Sequence, residues 1–157
     1  MDDTQAACGP FPKNSGGSLH GVRKCATIRS CGPKMKLFCL VIGGIAGTLA
    51  RYFLSDVVSE WAGTSFPYGT LAVNLIGCFA VGIFAALGNE KFMMSPEMKL
   101  LLMAGFCGAF TTFSTFIFET SGLVKSGENL RALVNILMSV LAGFTIFRTG
   151  YALGRLI

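Results

Sequence analysis

From Leu37 onward, apolar residues come in four long runs separated by short polar stretches. The first extends over about Leu37–Val58 and is interrupted by Arg51 and Asp56. Its uncharged part, Leu37–Ala50, is shorter than the about 20 residues that a membrane-crossing helix needs. The second, "TLAVNLIGCFAVGIFAAL" (Thr70–Leu87), is uncharged and carries Asn74 inside it. The third covers about Met98–Phe118 and is free of charge from Leu100 onward. The fourth covers about Leu130–Leu153, with Arg148 and Arg155 near its end. Runs of this length, without strict alternation, predict membrane helices rather than strands. Pro67 precedes the second run, and Ser95-Pro96 precedes the third as a cap followed by a first-turn proline. The connections, roughly Ser59–Gly69, Gly88–Glu97 and Thr120–Asn129, leave no room for a soluble domain. The expected fold is an all-α integral membrane protein with four transmembrane helices within residues 36–157.

The first run has a second reading. Lys34 and Lys36, an apolar stretch and then "TLA" imitate a signal peptide with a poor cleavage site. A span is favoured, because Arg51 can snorkel from the helix end to the interface. Residues 1–35, rich in Gly, Pro, Ser and Lys and without apolar periodicity, read as a disordered leader. Met35, followed by "KLFCLVIGGIAGTLA", also reads as a natural start, which leaves Met1 and Met35 as alternatives.

Composition agrees with the membrane assignment. The chain is 52% hydrophobic and 13% charged, with mean hydropathy +0.62; soluble domains carry about a quarter charged residues. The formal charge of +5 is unevenly placed: the leader holds five basic and two acidic residues, the remainder eight and six. No basic cluster falls on a folded face, so the chain does not read as a nucleic-acid binder. Lys36, Lys91, Lys99 and Arg155 stand at span ends on one side of the membrane. Lys125 and Arg131 stand on the other, with Arg51 nearby. That small bias favours both termini inside, yet permits insertion in both orientations. The six cysteines form no CxxC pair and the one histidine is His20, so no structural metal cluster or organic cofactor is expected. The membrane part lacks a histidine to activate a Ser or Cys nucleophile, and no phosphate-binding motif occurs, which argues against an enzyme.

The polar residues inside the runs carry the chemistry. "GFCGAFTTFSTFIFE" (Gly105–Glu119) holds four hydroxyls, two glycines, five phenylalanines and a carboxylate. Gly105, Gly108 and the Thr111–Thr112 pair weaken a helix at mid-span. Two readings fit. Either the helix breaks and its freed backbone groups face protein, water or an ion, or it continues, with glycines as close contacts and threonines bonded back to i−4 carbonyls. Phe113 and Phe116 share a helical face. Their positive ring edges can line a dry path for a small anion, or the rings simply pack in the core. Thr112, Thr115 and Glu119 form another stripe, beside Ser114. An ionisable group at this depth is functional by default, although Glu119 also sits near enough to the span end to be interfacial. Asn74 offers two amide donors to an anion, or serves as hydrogen-bonding glue. Arg131, Asn135, Ser139 and Gly143 recur every four residues as a polar wall or a packing seam. Gly43 and Gly47 form a small-xxx-small seam. Arg51 is a snorkelling anchor or an attractor of anions.

Three phrases taken together, "GGIAGTLARY" (Gly43–Tyr52), "GTLAVNLIGCFAVG" (Gly69–Gly82) and "GFCGAFTTFSTFIFE", resemble the small microbial fluoride channels of the Fluc (CrcB) family, over about Met35 to Ile157. The TTFSTF core is the most specific part. The resemblance implies an antiparallel, dual-topology homodimer of four-helix subunits in the cell (inner) membrane, with two fluoride pores. It implies a structural Na+ at the dimer centre, held by backbone carbonyls at a break in the third helix, here Gly108 and Thr111 of each subunit. Phe113 and Phe116 become pore phenylalanines, Asn74 the second-helix donor, and Ser114 and Thr115 part of the same motif. Glu119 becomes a carboxylate of the polar track and Arg51 a vestibule arginine. Family members often continue this track on the fourth helix with a tyrosine and serines at spacing four; here Asn135, Ser139 and Gly143 hold those positions, a departure in the far part of the path. The implied physiology is passive export of fluoride, giving fluoride resistance. Two rivals remain. A small multidrug-type proton-coupled exporter should carry its glutamate within the first span, whereas Glu60 lies beyond it and Glu119 in the third. A non-transporting membrane assembly subunit would use the Phe and Gly only for packing.

Overall fold

The computed structural model describes residues 32–89 and 94–156. Most of the leader, with Cys8, His20, Cys25 and Cys31, lies outside the described residues, as do residues 90–93 of the second connection. Among the described residues the regular structure is entirely helical, with four helices long and apolar enough to cross a membrane.

Helix α1 (Pro33–Ala62) begins on Pro33, inside the stretch that composition assigns to the leader, and ends at Gly63, whose φ of 84° stops it. At 30 residues it is about 45 Å long against a hydrocarbon core of about 30 Å, so Arg51 and Asp56 stand toward its far end. It continues as helix through "TLA". Helix α2 (Tyr68–Asn89) follows Pro67. Ser95 Oγ caps the third span by accepting from Met98 N at 3.2 Å. The span then runs as α3 (residues 96–110), whose middle, Leu100–Cys107, has wide π-helical turns. Thr111 and Thr112 are extended, and α4 (Phe113–Lys125) resumes after them. Helix α5 (Asn129–Leu156) carries a second π-helical stretch at Met138–Ala142. At its start Arg131 pairs with Glu128 at 2.8 Å, an exposed i,i+3 contact of little energetic weight.

Backbone contact at glycines sets the packing. A Cβ at Gly43 would strike the carbonyl oxygen of Leu101, and one at Gly47 that of Phe106, so α1 lies directly on α3. Gly82 faces the Phe147 carbonyl and Gly150 the Phe79 carbonyl, which brings α2 and α5 equally close. Lipid supplies no hydrophobic drive between helices, so such close approach does the work of association. The large apolar side chains point outward: Leu37, Phe38, Leu49, Leu130 and Phe144 are exposed on the single chain. Gly47→Val therefore abolishes monodisperse elution of the detergent-purified protein. Gly44→Val, at a position with nothing within 4 Å of its Cβ, leaves elution unchanged. Equal behaviour of the two variants would exclude the seam as a determinant of folding.

Candidate functional site

The polar interior converges on Thr111 and Thr112. Both are β-branched, and both take extended dihedrals (φ −82°, ψ 155° and φ −147°, ψ 115°), whereas Gly108 stays helical at φ −63°. Extended backbone at this depth needs partners for its peptide groups. Asn74 supplies them from α2: its Nδ2 donates to Thr112 O at 3.1 Å, and Thr112 N donates to Asn74 Oδ1 at 2.9 Å. The amide side chain thus stands in for a neighbouring strand. Thr112 Oγ1 then caps α4 by accepting from Thr115 N at 3.3 Å. Thr112 N and Thr115 N would have been the helical donors to the carbonyls of Gly108 and Thr111; both donate elsewhere, so these two oxygens lose their helical bonds. Gly108 is exposed on the single chain.

Two cavities open on either side of Thr112. One, of about 340 Å³, is lined by Arg51, Asp56, Thr70, Thr112 and Thr115, with the serines of α1. The other, of about 540 Å³, brings together Asn74, Thr111, Phe113, Phe116, Ser139 and Gly143, continuing to Phe144 and Phe147. Phe113 and Phe116 lie with ring centroids 5.7 Å apart at 42°. The first ring is 75% exposed on the single chain and the second 6%. The Ser139 hydroxyl faces this region buried and without a partner. Thr70 donates to Glu119 Oε1 at 2.8 Å, which places the carboxylate behind the wall of the first cavity; Oε2 is buried without a partner. Ser114 is exposed and reaches Thr112 Oγ1 at 3.3 Å. Thr112 also donates to Thr115 Oγ1 at 3.0 Å, so the hydroxyl stripe is continuous there.

Asn135 lines neither cavity; it is 1% exposed and donates to Thr120 Oγ1 at 2.9 Å. The four-residue stripe on α5 therefore does not form one wall: Arg131 turns to Glu128 and Ser65, Asn135 inward, and Ser139 and Gly143 to the groove. Sequence reasoning passed over Thr70, Asp56 and Thr120. Thr70 and Thr120 acquire significance through partners far along the chain, and a threonine at a span end carries no signal by itself. Among the described residues no group of three or more His, Cys, Asp or Glu side chains is placed to hold a metal ion.

These features define a class: a four-span membrane protein whose polar groups gather at a non-helical point inside the third span, flanked by two cavities. The sequence profile of a family described as "CrcB-like protein, Camphor Resistance (CrcB)" matches residues 38–151. A "Fluoride-specific ion channel FluC" of Solidesulfovibrio magneticus is 46% identical over 122 residues, covering 78% of this chain and 98% of that protein. One of Maridesulfovibrio salexigens, with the same name, is also 46% identical over 122 residues, covering 78% and 97%. Another, of Magnetococcus marinus, is 44% identical over 123 residues, covering 78% and 100%. The chain belongs to the CrcB family. These comparisons lend no support to the proton-coupled exporter.

Proposed function

We propose that this chain is a fluoride-selective channel that lets cytoplasmic fluoride leave passively across the cell (inner) membrane, acting as an antiparallel homodimer of dual topology. One observation carries the mechanism: the extended Thr111–Thr112 pair, splinted by Asn74, opens a groove walled by two phenyl rings and an unpartnered serine hydroxyl. The helix break assigned to this pair is the element on which the rest depends. A fluoride ion must shed strongly held water to enter a narrow path, and the wall must replace it. Ser139 has a hydroxyl to give, Asn74 keeps its second N–H, and Phe113 and Phe116 offer positive ring edges that attract the ion without trapping it. Ser114 and Thr115 extend the hydroxyl surface, and Glu119 borders it behind Thr70. Arg51 raises the local anion concentration in the outer cavity, moderated by Asp56 on the same wall.

The single chain leaves Phe113 open on one side and Gly108 at its surface, as expected if a second, inverted copy closes the groove. The Gly108 and Thr111 carbonyls suit a structural Na+, since hard cations take neutral oxygen ligands and these oxygens have lost their helical donors. Bound between two copies, the ion would neutralise four carbonyl dipoles and hold the copies in register. The physiology rests on acid–base chemistry: HF enters through lipid, dissociates inside and leaves fluoride that the channel releases.

The decisive experiment is efflux from liposomes containing the purified full chain. Fluoride leaves on addition of a potassium ionophore, chloride does not, and no proton gradient is required. Vesicles that hold fluoride would sink the proposal, and flux tied to a proton gradient would favour the exporter.

A further inference from the structure

We propose that Asn135 and Thr120 are positioning residues that set the ring of Phe116 from the fourth span, and that Asn135 forms no part of the path wall; this rests on the fluoride-channel reading. The geometry is a relay of two hydrogen bonds. Asn135 Nδ2 donates to Thr120 Oγ1 at 2.9 Å, and Thr120 Oγ1 donates to the carbonyl of Phe116 at 2.7 Å. All three residues are buried, with Asn135 1%, Thr120 7% and Phe116 6% exposed, so water does not compete for either bond. Both bonds run the same way, and each polarises the next in a low-dielectric interior. A threonine hydroxyl bonded to its i−4 carbonyl also bends the helix that carries it. That bond acts on the turn of α4 that presents Phe116.

The rest of α4 shows why this turn needs an anchor. Its start is fixed to α2 through Thr112 and Asn74, and its next polar tie to α2 is Glu119 with Thr70. Asn135–Thr120 is a buried side-chain hydrogen bond that ties α4 to the fourth span. Phe116 lies between the Thr112 and Glu119 supports along α4, its ring at 42° to that of Phe113, and it lines the same groove as Ser139. A small rotation of that turn would move the ring edge off the path without unfolding anything. Asn135 thus governs the path at second hand, through a carbonyl it does not touch.

The test uses the full chain and two readouts. Thr120→Val keeps the side-chain shape and removes the hydroxyl, Thr120→Ser keeps the hydroxyl, and Asn135→Leu removes the donor. Fluoride and chloride efflux from liposomes gives rate and selectivity. Fluorine NMR of 4-fluorophenylalanine placed at position 116 reports the ring directly. The expected result is a loss of flux or selectivity of roughly fivefold in Thr120→Val and in Asn135→Leu, the scale of one lost buried hydrogen bond. Each also shifts or broadens the ring signal, Thr120→Ser behaves as the unaltered chain, and the double variant is no worse than either single one. Unchanged flux and ring signal in Thr120→Val overturn the proposal. So does a Thr120→Ser loss as deep as that of Thr120→Val, since packing would then be the cause. If the unaltered chain passes no fluoride, the channel reading fails, and the ring signal alone upholds or overturns the positioning role. Should Asn135→Leu not fold, Thr120→Val decides by itself.

Discussion

Phe113→Ile lowers fluoride efflux from liposomes by about tenfold or more, while the protein elutes and melts as the unaltered chain does; the size reflects the loss of one oriented electrostatic contact in a dry site. This position separates function from folding more cleanly than its neighbour. Phe113 is 75% exposed on the single chain, so a smaller apolar side chain opens no cavity in the subunit core. Phe116 is 6% exposed, and shortening it costs on the order of 1–2 kcal/mol of packing, less than the 3–5 typical of Phe→Ala. A loss of flux in Phe116→Ile alone would therefore be ambiguous, whereas in Phe113→Ile it would not. Isoleucine keeps the groove apolar and removes only the ring with its positive edge. If both variants conduct normally, the aromatic path is wrong and the rings serve only as filling.

The four helices were legible from hydropathy because each span must be apolar along its whole length, whatever it packs against. Boundaries were less so. Arg51 and Asp56 shorten the uncharged run, yet α1 simply carries them toward its far end, and Pro33–Met35 join it because a proline fits a first turn. Inside the third span, composition points to Gly105, Gly108 and the Thr111–Thr112 pair together; the glycines remain helical and the two threonines are extended. What local pattern could not supply was the partner. Asn74 lies 38 residues before Thr112, and only the fold shows that it satisfies both peptide groups of an extended residue. The α5 stripe divides for another reason. At 3.6 residues per turn a spacing of four drifts by about 40° per step, so residues along such a stripe turn progressively away from one another. Asn135 and Ser139 consequently point to different neighbours, one to Thr120 and the other to the groove.

Asn74→Asp is expected to reduce fluoride flux by about a hundredfold or more, because two effects add at one atom. The substitution places a carboxylate beside an anion path in a low-dielectric groove, where like charges repel far more strongly than in water. It also turns the donor that faces Thr112 O at 3.1 Å into an acceptor, so the carbonyl of an extended residue loses its partner. Asn74→Ala separates the two. It removes both splinting bonds without adding charge and leaves the peptide groups of Thr112 unpaired, at about 1–3 kcal/mol each. Both variants should melt below the unaltered chain, and the alanine variant should conduct more than the aspartate variant. Acidification should restore part of the flux in Asn74→Asp, since a protonated carboxyl is neutral and can donate to Thr112 O again; it should do nothing for Asn74→Ala. Undiminished flux in Asn74→Asp would remove this residue from the path. If both variants lost flux equally, in proportion to their loss of stability and without response to pH, Asn74 would be a splint alone, and the donors facing fluoride would have to come from the hydroxyls.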